Sequence, residues 1–233
     1  MRPKANKREG FTLTELLVVI AIIAILAAML LPALARSKAK AQRVADVSNI
    51  RQVGIAIAMS AHDHEGKYPW QRKPPEGSYG LDKAWQHFAT VSNELVTPKV
   101  LHCPADKQRP IAETFNGPNG LFALENSAVS YAIGTEATEG NASMHLASDR
   151  NISGRDNQRC SVAGITNAIT TLNPFNGGTG WTADTHQNEG NMALADGSVH
   201  SFTQFQLLEH LRNTGDVGNE TGAGAYSNCI LKP

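Results

Sequence analysis

The residues with the most chemical reach lie in the second half of the chain. His186 is followed by nine residues and then Asp196-Gly197. That pair is the signature of a two-residue type I′ turn: Asp tolerates the left-handed region and bonds its own backbone, and Gly supplies the second positive φ. His186 then stands where a loop enters the first hairpin strand, placed either to bond a buried carbonyl or to help hold a metal or a partner. Asp149, Asp156, Glu189 and Asp196, among many asparagines, are oxygen donors of the kind calcium takes. Yet no DxDxDG string orders them, and acidic loops are ordinarily just solvated. Cys103, Cys160 and Cys229 permit one disulfide and one leftover thiol in three pairings. Their spacing forms no CxxC or zinc pattern. The sequence holds no HExxH helix, nucleophile elbow, phosphate loop or diagnostic pair of acids, so an enzymatic assignment has nothing specific under it.

These groups need a scaffold, and its first part is plain. Leu16 to Ala35 is a run of twenty residues without a charge, long enough as a helix to span about 30 Å of bilayer core. Arg2, Lys4, Lys7 and Arg8 precede it against one acid, Glu9, which places the N-terminus on the cytoplasmic side. Glu15 sits inside the front edge of the apolar run, where a lone carboxylate is unfavourable unless it finds a partner. A secretory signal peptide is one alternative, since Ala33-Leu34-Ala35 has the small-x-small pattern of a cleavage site, but the run exceeds the usual apolar length. A plain single-pass anchor fits the length and leaves Glu15 unexplained.

GFTLTE at 10 to 15, followed by the apolar helix, resembles the N-terminal signal of type IV prepilins and type II secretion pseudopilins. His186 with Asp196-Gly197 resembles the H-X9-DG element of prepilin-like proteins. CPAD at 103 to 106, SYAIG at 130 to 134 and LASDRN at 146 to 151 are similar to motifs of the same group. The resemblance implies a leader of residues 1–10, removed by a prepilin peptidase between Gly10 and Phe11, with Phe11 then methylated. It implies a transmembrane half-helix over 11–35 and a periplasmic head over 36–233. Glu15 would face the N-terminal amine of a neighbouring subunit, an opposite charge in low dielectric supplied by an assembled filament. The expected fold is α+β and pilin-like: a long N-terminal helix on a small antiparallel sheet with long loops. The expected role is that of a structural pseudopilin in a type II secretion-like filament, not an enzyme. The expected partners are the peptidase, other pilin-like subunits, an inner-membrane assembly platform and membrane lipid. Two alternatives stand beside it: a type IV pilus pilin for adhesion, motility or DNA uptake, and a membrane-tethered hydrolase or binding protein using His186 and nearby acids. No cofactor is expected, although the resemblance leaves room for calcium in loops after the sheet.

Lysine plus arginine and aspartate plus glutamate number 21 each; without the leader, seventeen bases face twenty acids, which argues against a nucleic-acid surface. Along the chain the helical pattern carries through Pro32, expected to kink it, to about residue 62. Arg36, Lys38, Lys40 and Arg43 would meet lipid phosphates, acidic faces of neighbours, or only solvent. Val44, Val47, Ile50, Gly54, Ile57 and Ala61 form the predicted inward stripe, and Gly66 and Pro69 the stop. A loop is predicted over 67–80, a short helix over 81–91 with Trp85, Phe88 and Ala89 on one face, and extended segments over 100–106, 121–124 and 129–133. Residues 135–180 read as surface loops with one strand near 145–147. The hairpin Asn191 to Phe202 follows, then a helix capped by Thr203 with Phe205, Leu208 and Leu211 inward, and a loose Gly-rich tail.

Overall fold

The computed structural model describes residues 11–138, 140–156, 163–165, 169–175, 177–214 and 228–233. The leader, Gly10, Cys160 and most of the Gly-rich tail lie outside the described residues. One helix, α1 (Leu13–His62), runs unbroken through Pro32, and Gly66 N–H closes its end on Ala61 O at 2.9 Å. Its contacts divide the chain between Ala41 and Gln42. In the first unit every apolar side chain of the stem is exposed, and by length and composition alone it suffices to cross a membrane.

The second unit, Gln42–Pro233, holds an antiparallel sheet in the order β4-β5-β9-β1-β2-β7-β8. Its strands are β1 (Tyr131–Gly134), β2 (His145–Asp149), β4 (Arg155–Asp156), β5 (Ile169–Thr171), β7 (Glu189–Leu194), β8 (Val199–Thr203) and β9 (Cys229–Leu231). A two-stranded ribbon pairs β3 (Ile152–Ser153) with β6 (Gly180–Trp181). Alternation sends Tyr131, Ile133, Ala193 and Leu231 to one face, packed with Ile50, Val53 and Ile57 of α1. Ala132, Met192, Leu194 and Ile230 go to the other, packed with Trp181 and with Leu207 and Leu211 of α5 (Gln204–Asn213). The central strands are therefore buried on both faces. Gly54 permits the close approach of α1, since a Cβ there would lie 3.3 Å from that of Ala193.

Helix, sheet and the α+β class agree with expectation; several local predictions do not. Residues 98–101 and 121–124 form a 3-10 turn and the short helix α4 (Leu121–Leu124), not strands. In both, short apolar runs pack as single turns, which periodicity cannot distinguish from strands. The helix predicted over 81–91 shortens to α2 (Ala84–Ala89), followed by α3 (Ser92–Leu95), and its buried face carries His87 beside Phe88. Between 135 and 180 the described residues include four strands and many buried positions, because the second layer of helix and ribbon covers that face. The inward stripe starts at Asp46, while Val44 is exposed. In α5 the buried pair is Leu207 and Leu211, and Phe205 is exposed. Thr203 caps α5 as expected, in a reciprocal box with Gln206.

The hairpin β7–β8 is present with Ala193 opposite Val199. Its turn is not type I′: Gly197 has φ +82°, but Asp196 is not among the residues at positive φ. Gly197 N–H bonds Leu194 O at 3.0 Å and Leu194 N–H bonds Ser198 O at 2.9 Å, which describes a three-residue loop with the glycine at its left-handed end.

Candidate functional site

Residues of the CPAD, SYAIG and LASDRN stretches gather with His186 in the layer between α1 and the sheet. Tyr131 of β1 is opposite Asp149 of β2, and Ser148 is opposite Met192, so Tyr131, Asp149 and Asn191 form one row across three strands. The row faces α1, which lays Asp46 over it. Cys103 arrives from the loop after the 3-10 turn, and His186 from the turn leading into β7. Gln187 and Asn188, both at positive φ, reverse the chain immediately after that histidine. The donor atoms of Asp46, Cys103, Asp149 and His186 lie within 4.8 Å of one another, and all four residues are buried.

His186 Nε2 is the pivot, 3.3 Å from Cys103 Sγ, 3.3 Å from Asp46 Oδ2 and 3.5 Å from Asp149 Oδ2. Tyr131 donates its hydroxyl to Asp46 Oδ1 at 2.7 Å, and Asn191 Nδ2 donates to Asp46 Oδ2 at 2.5 Å. The Asn191 backbone N–H donates to Asp149 Oδ2 at 2.7 Å, and Ser201 holds the Asn191 carboxamide oxygen. Asp149 Oδ1 is buried and faces no hydrogen-bond donor. Burial, and next the charge of Asp46, push the Asp149 carboxyl well above the usual carboxylate range. Burial presses Asp46 the same way, but hydrogen bonds to His186, Cys103 and Tyr131 outweigh it and hold that carboxyl low. Burial and the two carboxylates push the Cys103 thiol up. The two acids are thus driven apart, Asp149 upward by burial and the charge of Asp46, and Asp46 downward by its hydrogen bonds.

A second ion pair backs the first. Asp106 of the CPAD motif receives Arg150 of LASDRN in a fork, Nε to Oδ2 at 2.6 Å and Nη2 to Oδ1 at 3.0 Å. Burial alone would raise the Asp106 carboxyl, yet Arg150 holds it below its ordinary value. Arg43 pairs with Glu189 at the edge of the same layer. So CPAD, SYAIG and LASDRN, far apart in sequence, meet pairwise.

His186 and Asp149 are at the cluster; Asp196 and Gly197 are not. Asp196 accepts the Ser198 N–H at 2.8 Å in the hairpin turn, and the length of β7 separates it from His186. Glu189 is half-exposed on its arginine. Cys103 is a free buried thiol and Cys229 is disulfide-bonded. The nitrogen and sulfur donors do not suit calcium, which takes oxygen alone. Asp46, Tyr131 and Asn191 went unnoticed as site residues in the sequence. The one available signal was an acid four residues before Ile50, on the stripe that the apolar positions define. At the stem, Glu15 accepts from Thr12 N–H at 2.9 Å and from the Thr12 hydroxyl at 2.6 Å. Its own chain therefore supplies two neutral donors, through a capping pattern at the helix start.

Residues 5–31 match the model of the prokaryotic N-terminal methylation motif. Over 100 residues the chain is 33% identical to the type II secretion system core protein G of Pectobacterium carotovorum subsp. carotovorum. That match covers 43% of this chain and 56% of the relative, so it spans about half the length of the curated protein. No solved structure matches. The chain thus carries a prepilin-type N-terminus continuous with a long helix on an antiparallel sheet, and it is similar to a type II secretion core protein.

Proposed function

We propose that the chain is a pseudopilin, a structural subunit of a type II secretion-like filament. The observation that carries this is a methylation motif over 5–31 running into a 50-residue helix whose apolar first half is bare of intramolecular packing. A prepilin peptidase cuts between Gly10 and Phe11 and methylates Phe11. The stem rests in the inner membrane with the head on the periplasmic side until an assembly platform draws it into the polymer. There the exposed apolar faces of neighbouring stems replace lipid. Heterologous contacts repeated without closure give a filament rather than a ring. The similarity to core protein G supports a secretion system over a surface pilus. The test is mass spectrometry of the native N-terminus: the expected chain starts at Phe11 and carries the mass of one added methyl group. A chain starting at Met1 or Arg36 overturns the proposal.

A further inference from the structure

We propose that Asp46, Cys103, Asp149 and His186 bind a divalent transition-metal ion of the zinc class, which staples α1 to the sheet. Geometry makes the first case. A neutral imidazole nitrogen has one lone pair or one N–H, so His186 Nε2 cannot serve a thiol and two carboxylates by three hydrogen bonds. One cation in their midst satisfies all four at once. Zinc bonds of roughly 2.0 to 2.3 Å in a tetrahedron set its ligand atoms about 3.3 to 3.7 Å apart. The three contacts of His186 measure 3.3, 3.3 and 3.5 Å. The pairs that are further apart, within 4.8 Å, close by small side-chain rotations.

The donor set makes the second case. One thiolate, one imidazole and two carboxylates form a mixed set that borderline-soft ions accept and calcium or magnesium do not. Asp149 Oδ1, buried with no hydrogen-bond partner, leaves that carboxylate with acceptor capacity that no protein donor satisfies. The carboxylates are already oriented from behind, Asp46 by Tyr131 and Asn191, and Asp149 by the Asn191 backbone. Such outer hydrogen bonds are what a metal centre needs to hold its ligands in place. Binding displaces the Cys103 thiol proton, and any proton held on the carboxyls, to solvent, and the ion's two positive charges take their place. All four ligands come from the protein and all are buried, so the ion has a structural role rather than an open catalytic position. The proposal is independent of how the stem assembles.

The test uses the full chain in detergent micelles. Metal analysis should find about one zinc per chain, and a chelator should lower Tm. Replacing zinc by cobalt should give a thiolate-to-cobalt charge-transfer absorption. His186→Gln should weaken zinc binding by more than the about 10- to 100-fold that loss of an outer hydrogen bond brings, and Cys103→Ser should abolish the cobalt absorption. Asp149→Asn should weaken zinc binding and remove the Tm gain that zinc gives, because it trades a carboxylate ligand for a neutral amide, whereas a metal-free cluster shows no Tm gain from zinc in either chain. No retained zinc with a Tm indifferent to zinc and chelator overturns the proposal. So does zinc that survives both His186→Gln and Asp149→Asn.

Discussion

At the scale of single residues, the head uses buried polar groups where a small core would use aliphatic ones. His87 is fully enclosed, with Nδ1 taking the Ser78 hydroxyl at 2.7 Å and Nε2 directed at Leu81 O at 3.0 Å. Burial lowers its pKa from 6.5 to about 4. The unfolded chain therefore binds the proton first, and stability is lost as pH falls from about 6.5 towards 4. Between pH 7 and pH 5 the loss attributable to this ring is about 2 kcal/mol. His87→Gln should flatten the Tm profile over that interval in thermal unfolding of the full chain; an unchanged slope rejects the assignment. Such positions were poorly legible in the sequence. His87 and Asp46 are polar letters on apolar faces, and a pattern count treats them as interruptions. His186 and Asp149 were visible as residue types with chemistry, but nothing in their spacing says that a residue more than a hundred positions upstream, on a helix, completes the set. Only the fold supplies Asp46.

At the scale of elements, the sequence was a good guide to long periodic segments and a poor one to short ones. Fifty residues of helix announce themselves by composition and by the change from all-round apolar to a one-sided stripe. The β7–β8 hairpin announces itself by alternation. Four-residue apolar runs such as Leu121–Leu124 do not, because one turn of helix and one short strand bury the same side chains. The Asp196-Gly197 turn was placed correctly but with the wrong geometry, since Ala195 adds a third loop residue and leaves only Gly197 left-handed. The seam between α1 and the sheet is set by Gly54. Gly54→Leu should push the helix off Ala193 and lower stability by about 1 to 3 kcal/mol. Ile55→Leu, on the exposed side, serves as the control that should leave Tm where it is. Equal Tm values for the two variants would show that the contact is not the tight one described.

At the scale of the whole molecule, the chain pairs a unit whose described residues bury nothing with one that buries two cores. The bare stem is where a single-chain structure leaves the most hydrophobic area unassigned, and lipid or other stems must cover it. Glu15 belongs to this scale, although Thr12 satisfies part of its hydrogen bonding within the chain. Glu15→Ala should leave membrane insertion intact and stop assembly, scored by sedimentable filaments from cells carrying the variant. Normal filaments in that variant would show that the carboxylate sets no register. The long apolar stem was legible from twenty uncharged residues alone. The second layer of the head was not, because α5 and the ribbon β3–β6 are short, polar outside and brought together from distant segments.

Strand β9 lies between β5 and β1, with Leu231 opposite both Ile169 and Ile133. A piece of chain nearly a hundred residues downstream of β1 is thus the keystone of the sheet. Until it has been synthesised, β4–β5 and β1–β2–β7–β8 are two fragments, each with a bare edge. The head must therefore close late, when its last strand arrives. In that interval its unpaired edges are open to strands of other chains.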